Sequence, residues 1–326
     1  MAFRALVTEK SADGEISSSV QMIGETQLPE GEVIVSVEWA GFNYKDALCL
    51  TGKGGLVRHY PHVGGIDFAG RVVESHDHRY HPGQAVILTG WRVGETHWGG
   101  FAERARVKAD WLVPMPKKFS AREAMCLGTA GLTAMMAINR LKADGLTPAS
   151  GDVLVTGAGG GVGSIAVYLL SRLGHRVVAV SGRPELAQHL IRLGAQEVLT
   201  RDEFAGPDKK ALESARWAGV IDPVGGPMLG RILKQVAYDG AVALVGNAGG
   251  INWEGSVIPF ILRGITLYGI DSVMQPYAAR VSGWDRLADL FDSVVYSGMV
   301  KEIGLDALPW AADEILNGRI KGRVIV

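Results

Sequence analysis

The stretch that most constrains this chain is Val153-Leu154-Val155-Thr156-Gly157-Ala158-Gly159-Gly160-Gly161-Val162-Gly163-Ser164. An apolar run passes through a glycine cluster into Val162, Ile165, Leu169 and Leu173, which recur at helical spacing until Gly174. Glycines let a backbone approach a pyrophosphate, and the free amides and positive dipole end of a helix start balance its charge. The strict Gly-x-Gly-x-x-Gly pattern is not met, because the best register, Ala158-x-Gly160-x-x-Gly163, has alanine first. A glycine run alone also suits a structural turn. Between a strand and an amphipathic helix, inside a repeating pattern, it points to a bound dinucleotide.

The pattern does repeat. Val177 to Val180 reads as a strand, followed by Pro184 at a helix start and by Leu186, Ala187, Leu190 and Leu193 on one face, ending at Gly194. Val198-Leu199, Val220-Ile221, Val242 to Val245 and Ile265 to Ile270 supply further strands, so the fold class expected is α/β with a doubly wound parallel sheet of Rossmann type. From Met1 to about Phe119 the rhythm is different: short strands and turns, with Val33, Val35, Val37 and Trp39 alternating with polar or small residues. A helical stretch with two internal glycines, Ala121 to Leu141, connects the two patterns. A helix around Trp310 to Leu316 and a strand Arg323–Val326 follow. With 326 residues there is room for two cores, and the division expected is a β-rich catalytic domain, 1–123 with 297–326, and a nucleotide domain, 124–296.

Composition excludes several functions. A formal net charge of −1 gives no global attraction to nucleic acid or an anionic membrane. No apolar run suits a signal peptide or a bilayer span, so the chain is read as cytoplasmic, with no membrane partner. Cys49 and Cys126 form neither a disulfide framework nor a thiolate cage, and read as buried thiols.

The second strand of the nucleotide pattern ends in Ser181-Gly182-Arg183, with no carboxylate before Glu185. An acid there would accept from the ribose hydroxyls of NAD; a hydroxyl and a guanidinium suit a 2′-phosphate, so the expected cofactor is NADPH. Ala158, Gly159, Gly160, Gly161, Val162 and Gly163 would line its pyrophosphate, and Ser181, Gly182 and Arg183 its ribose phosphate. Arg201, after the third strand, either closes that pocket or is a solvated arginine.

Asn43-Tyr44-Lys45-Asp46-Ala47-Leu48, Thr51-Gly52-Lys53-Gly54, Gly65-Ile66-Asp67-Phe68-Ala69-Gly70 and Val245-Gly246-Asn247-Ala248-Gly249-Gly250 carry a more specific signal. Over essentially the whole chain the sequence resembles the medium-chain dehydrogenase/reductase superfamily, and these strings resemble its acryloyl-CoA reductase branch, near the quinone oxidoreductases. The resemblance implies a chaperonin-10-like catalytic domain, a homodimer, and NADPH-dependent reduction of acryloyl-CoA to propanoyl-CoA. A quinone or enone reductase is the first alternative, and an NADPH-binding protein without turnover the second. Zinc enzymes of the superfamily carry ligands where this chain aligns Asn43 and Ile66, so no catalytic metal is expected. Hydride addition to a conjugated double bond needs instead a donor to the enolate oxygen and a proton for the α-carbon.

By resemblance Asn43 and Tyr44 face nicotinamide and substrate, Tyr44 as an enolate donor, a cofactor contact or a packing aromatic and Asn43 as an amide donor. Asp67 orients a neighbour, holds a water or bonds backbone amides. Asn247 and Ser272, after the fifth and sixth strands, are assigned to the cofactor. Arg323 either faces cofactor or substrate or lies on the surface. Lys53, Arg58 and Arg79 are candidates for the anionic end of an acyl-CoA. His76-Asp77-His78-Arg79-Tyr80-His81, before Pro82-Gly83, reads as a solvated turn rather than a metal site, and His59 and His62 as loop residues.

Overall fold

A computed structural model of the protein describes residues 1–205 and 210–326. They form two compact units, one of 1–129, 272–289 and 300–326, the other of 130–271 and 290–299.

The first unit is built from eight strands: β1 (Ala2–Lys10), β2 (Ile16–Gly24), β3 (Val33–Phe42), β4 (His62–Val63), β5 (Asp67–Ser75), β6 (Ala85–Thr89), β7 (Arg104–Val107) and β8 (Leu112–Pro114). The C-terminal strands Val300–Glu302 and Arg323–Ile325 join them. A small sheet runs β2-β1-β4; the larger runs Val300–Glu302, Arg323–Ile325, β3, β5, β6, β8, with β7 also on β3. β3 buries Val33 and Val35 in a core with Phe42, Phe68, Leu88 and Phe101, but Ile34 between them is buried as well and Val37 and Trp39 only partly, so the expected alternation is not kept along the strand. Val324 and Ile325 pair with Phe42 and Gly41, which carries Arg323 to the end of β3.

Two helices complete what the site needs. α1 (Tyr44–Thr51) leaves β3 directly and stops at left-handed Gly52 (φ 69°). α2 (Ala121–Ala143) is the expected connector, broken at Gly128, whose φ of 52° and ψ of −148° are open to glycine and costly for other residues. The break turns the Thr129 amide out of the helical ladder, and a Cβ on Gly128 would lie 2.5 Å from the Asp67 carboxylate.

Ser272–Asp289 groups with this unit, whereas the sequence placed it in the nucleotide domain. Arg280 is the physical reason. Its buried guanidinium donates to Thr89 O and Oγ1 (2.7 and 2.8 Å), Val273 O (2.6 Å) and Ser272 O (3.2 Å), and Trp284 packs edge-on against Phe119.

The second unit holds a six-stranded parallel sheet of β9 (Asp152–Val155), β10 (Val177–Ser181), β11 (Ala195–Thr200), β12 (Trp217–Asp222), β13 (Val236–Leu244) and β14 (Thr266–Gly269), in the order β11-β10-β9-β12-β13-β14. All six expected strands are present, although β13 starts six residues before Val242. The order reverses beside β9, so the glycine segment lies at the switch point of a doubly wound sheet. α3 (Gly161–Arg172) follows it and buries Ile165, Ala166, Leu169 and Leu170.

Gly163 must be glycine for a packing reason: a Cβ there would sit 2.4 Å from Gly157 O and 2.8 Å from Ala158 Cα. Around Gly269, in the edge strand, a Cβ would meet nothing within 4 Å. Gly163→Ala is therefore expected to lose roughly 1–3 kcal/mol in urea unfolding, the usual range for overpacking, and Gly269→Ala close to nothing. Equal losses would show that the loop relaxes around the added methyl.

Candidate active site

Where β3 runs into α1, three buried charged side chains meet a partly buried asparagine. Asp46 and Asp67 are 0 % exposed and Arg323 2 %. Asn43, the residue before α1, lies among them. Its Nδ2 donates to Asp46 Oδ2 (3.2 Å) and Asp67 Oδ1 (3.1 Å), while its Oδ1 accepts from Arg323 Nη1 (2.9 Å). The chemistry fixes which way the amide points, because a guanidinium can only donate and a carboxylate oxygen only accept.

The surrounding backbone satisfies what remains. Asp46 Oδ2 accepts from Asn43 N (2.8 Å) and Oδ1 from Ile66 N (2.8 Å). Asp67 Oδ2 accepts from Thr129 N (2.5 Å), the amide released by the Gly128 break, and lies 3.9 Å from Arg323 Nη2. Arg323 also donates to Phe42 O (3.2 Å) and Met125 O (3.4 Å). Burial, reinforced by the Asp67 charge, pushes the Asp46 carboxyl up to about 7, against the pull of its three N–H donors. Lys45 turns away from the cluster to Glu95 (2.9 Å). Tyr44, the first residue of α1, is 41 % exposed, and its hydroxyl has no hydrogen-bond partner among the described residues.

Two expectations change. Asn43 was read as an amide donor to substrate, yet both its N–H bonds are directed at carboxylates. Arg323 was read as facing a ligand or solvent, yet it is buried with both terminal nitrogens engaged. Asp67 meets both a neighbouring side chain, Asn43, and a backbone amide, Thr129 N, and has no exposed surface. Asp46 was quoted in a motif but given no role. Its signal was the spacing Asn43-x-x-Asp46, which lets a side chain three residues into a helix bond the amide before it.

In the second unit Ser181, Gly182, Arg183 and Arg201 come together. Ser181 Oγ accepts from Arg183 N (3.1 Å), Arg183 Nη2 donates to Gly159 O (2.9 Å), and a Cβ on Gly182 would fall 2.5 Å from Arg201 Nε. Burial, together with the nearby Arg201 charge, lowers the Arg183 pKa. The glycine turn is closed by Gly160 N to Gly157 O (2.9 Å) and Ala158 N to Val180 O (3.0 Å), leaving Gly160–Gly163 at the start of α3. Asn247 is exposed in the loop after β13, which bonds back to Pro223 O and Val224 O. Ser272 belongs to the first unit, its carbonyl held by Arg280. Asp222, which the sequence did not single out, is buried under Thr156 Oγ1 and the amides of Val224 and Gly225 (both 3.0 Å), tying β9 to β12.

The remaining candidates separate. Arg79 is engaged by Asp77 (2.8 Å) and Asp110 (2.6 Å), whereas Lys53 and Arg58 are exposed without ion-pair partners among the described residues. His76 and His78 are exposed beside Glu74 and Asp77. His62 is not a loop residue: it is buried on β4, its Nε2 2.9 Å from Gly94 O, and burial lowers its pKa. Both cysteines are buried and unpaired.

Comparison with known proteins gives the class. Residues 29–117 match the alcohol dehydrogenase GroES-like domain and 161–289 the zinc-binding dehydrogenase family. The chain belongs to the medium-chain dehydrogenase/reductase superfamily. It is 52 % identical to acrylyl-CoA reductase AcuI of Ruegeria pomeroyi, covering 99 % of this chain and 98 % of that one. The yhdH oxidoreductase of Salmonella enterica, solved in complex with NADP, is 50 % identical with a TM-score of 0.96 over 99 % of each chain. The putative quinone oxidoreductase YhfP of Bacillus subtilis is 45 % identical over 99 % of this chain and 98 % of its own; its structure with NAD bound gives a TM-score of 0.96.

One family description names zinc, and the donor set here does not fit it. Asn43 offers an amide already consumed by charged neighbours, Ile66 offers no donor atom, and no group of three or more His, Cys, Asp or Glu among the described residues is placed to hold a metal ion.

The Asp46 shift carries a sign that can be tested. A carboxyl raised from 3.8 to about 7 binds its proton more tightly folded than unfolded, so its contribution is full below pH 4 and lost as pH rises through 7. The stability of the parent relative to Asp46→Asn should therefore fall between pH 4 and 7, by up to roughly 4 kcal/mol at 1.36 kcal/mol per unit, and level off above 8. Urea unfolding across that range checks it; a difference independent of pH would mean the group stays ionised.

Proposed function

We propose that the chain is an NADPH-dependent acrylyl-CoA reductase, adding hydride to the β-carbon and a proton to the α-carbon of the substrate's double bond to give propanoyl-CoA. The observation that carries this reading is the full-length similarity to acrylyl-CoA reductase AcuI. Bound NADPH supplies the hydride. The chain's own residues bind and orient.

The amides of Gly159, Gly161, Val162 and Gly163, at the start of α3, receive the pyrophosphate. Ser181, Arg183 and Arg201 receive the 2′-phosphate, a role supported by two guanidiniums gathered beside a hydroxyl. Asn247 and Ser272 are assigned to the cofactor by their places after the fifth and sixth strands. Tyr44 donates its hydroxyl hydrogen to the thioester oxygen as negative charge develops there. Asp67 holds Asn43, the residue before Tyr44, in place, and neither touches substrate. Lys53 and Arg58 are the cations free to meet the nucleotide end of coenzyme A. In this division of labour the unit of 130–271 and 290–299 binds most of the cofactor, and the unit of 1–129, 272–289 and 300–326 carries the substrate chemistry.

A homodimer and a cytoplasmic location belong to the same reading. The edge strand β14 and exposed Tyr238, Ile251, Val257, Ile261 and Leu262 support a second copy as partner, and two unpaired buried cysteines suit a reducing compartment. A second reading, quinone reduction with NADH, is favoured by the Bacillus subtilis relative. Steady-state kinetics with acrylyl-CoA and 1,4-benzoquinone, each with NADPH and NADH, separate the two. The proposal expects the highest kcat/KM for acrylyl-CoA with NADPH, because only the thioester has a remote nucleotide whose binding helps the reacting end; a higher value for the quinone would overturn it.

Cofactor choice has its own test. Arg183→Ala should weaken NADPH by about 10- to 150-fold, the equivalent of one charge-assisted contact of roughly 1.5–3 kcal/mol, and NADH far less. Fluorescence titration with both cofactors measures this. Equal weakening would mean that Arg183 shapes the turn through Gly159 O instead.

A further inference from the structure

The residues at the N-terminus of α1 divide between an exposed hydroxyl without a partner among the described residues and a buried charge cluster whose one unpaired donor, Arg323 Nε, is itself enclosed. Asn43 has two amide hydrogens and both reach carboxylates; Arg323 is enclosed; Asp46 and Asp67 have no exposed surface. A group in this cluster touches substrate only after breaking a buried charged hydrogen bond. Tyr44, by contrast, is joined to the cluster by one peptide bond.

The cluster also gathers segments distant in sequence. Arg323 brings the C-terminal strand to the end of β3 through Phe42 O, Asp67 brings the start of β5, Ile66 N clamps Asp46, and Met125 O and Thr129 N bring both sides of the break in α2. Asp46 then closes the first turn of α1 by accepting from Asn43 N. The backbone that carries the Tyr44 ring is therefore set by three charged groups, Asp46, Asp67 and Arg323, and by the backbone amides and carbonyls that meet them.

We propose that Arg323 and Asp46 are positioning residues for the reduction, acting through Asn43 to fix where the Tyr44 hydroxyl is presented, and that Asn43 gives no hydrogen bond to substrate. This rests on the reading of Tyr44 as donor to the thioester oxygen. Arg323 does this as a planar fork, with Nη1 on Asn43 Oδ1 and Phe42 O and Nη2 on Met125 O and towards Asp67. A lysine keeps the charge but lacks the fork, so it leaves at least one of those acceptors unmet.

The test is a double-mutant cycle on single-turnover reduction of acrylyl-CoA by NADPH, using the parent, Tyr44→Phe, Arg323→Lys and the double variant, with thermal unfolding of each as a control. Tyr44→Phe should slow hydride transfer by about 100-fold. Arg323→Lys should slow it at least about tenfold, with KM for the thioester changed less than about threefold. The double variant should be no more than about threefold slower than Tyr44→Phe alone, because a misplaced hydroxyl that has been removed cannot be misplaced again. Effects that multiply in the double variant, or an Arg323→Lys protein that is folded and turns over at the parent rate, overturn the proposal while leaving Tyr44 as donor. A Tyr44→Phe protein with the parent rate overturns the reading of Tyr44 itself. If Arg323→Lys does not fold, Asp46→Asn enters the same cycle with the same expected pattern, and failure of both to fold assigns the cluster to stability alone.

Discussion

Two carboxylates and one guanidinium, all out of water and sharing a single asparagine, are the constraint on which the catalytic half of this molecule is built. Such a group is costly to assemble, and removing one member typically costs about 3–5 kcal/mol because a charge is left uncompensated. Here nearly every bonding direction is met: backbone amides of Asn43, Ile66 and Thr129 cover the carboxylates, and carbonyls of Phe42 and Met125 cover the arginine. The fold supplies those amides and carbonyls. Gly128 abandons helical geometry in the middle of α2, and the last strand returns to pair with β3.

The same arrangement explains how a chain of a dehydrogenase superfamily whose description names zinc suits another reaction. Where a metal would need thiolate or imidazole donors, this chain has an amide locked between charges and an isoleucine whose amide holds Asp46. A conjugated thioester needs no alcohol oxygen polarised on a metal; it needs a donor at its carbonyl oxygen, and the first residue of α1 offers one. The nucleotide unit solves a separate problem with separate means: close-packed glycines at the switch point of a parallel sheet and a pair of arginines past the second strand.

How much of this the sequence disclosed follows from the range of the interactions. The six strands of the nucleotide sheet, the glycine turn and the pairing of Ser181 with Arg183 were legible, because apolar periodicity and strand-end chemistry act over a few residues, whereas Arg201, exposed beside Gly182, stood between closing that pocket and lying solvated. Arg323 was not legible, since a basic residue near a chain end looks solvated until it is known to meet Phe42, 281 positions earlier. Ser272–Asp289 was misplaced for the same cause: Arg280 meets Thr89 across 191 positions. Asn43 was recognised, but its use was not, because residue type does not reveal that its donors are already committed. Asp46 stood in plain view at capping distance and needed only the question of what it caps.

The most direct test of the account follows the hydride itself. Acrylyl-CoA reduced with NADPH deuterated at the transferred position, in ordinary water, should give propanoyl-CoA with one deuterium at the β-carbon by NMR, and the same reaction with unlabelled NADPH in heavy water should place deuterium at the α-carbon. Label at the carbonyl carbon, or product carrying none of the transferred deuterium, would contradict a reductase that works on the double bond.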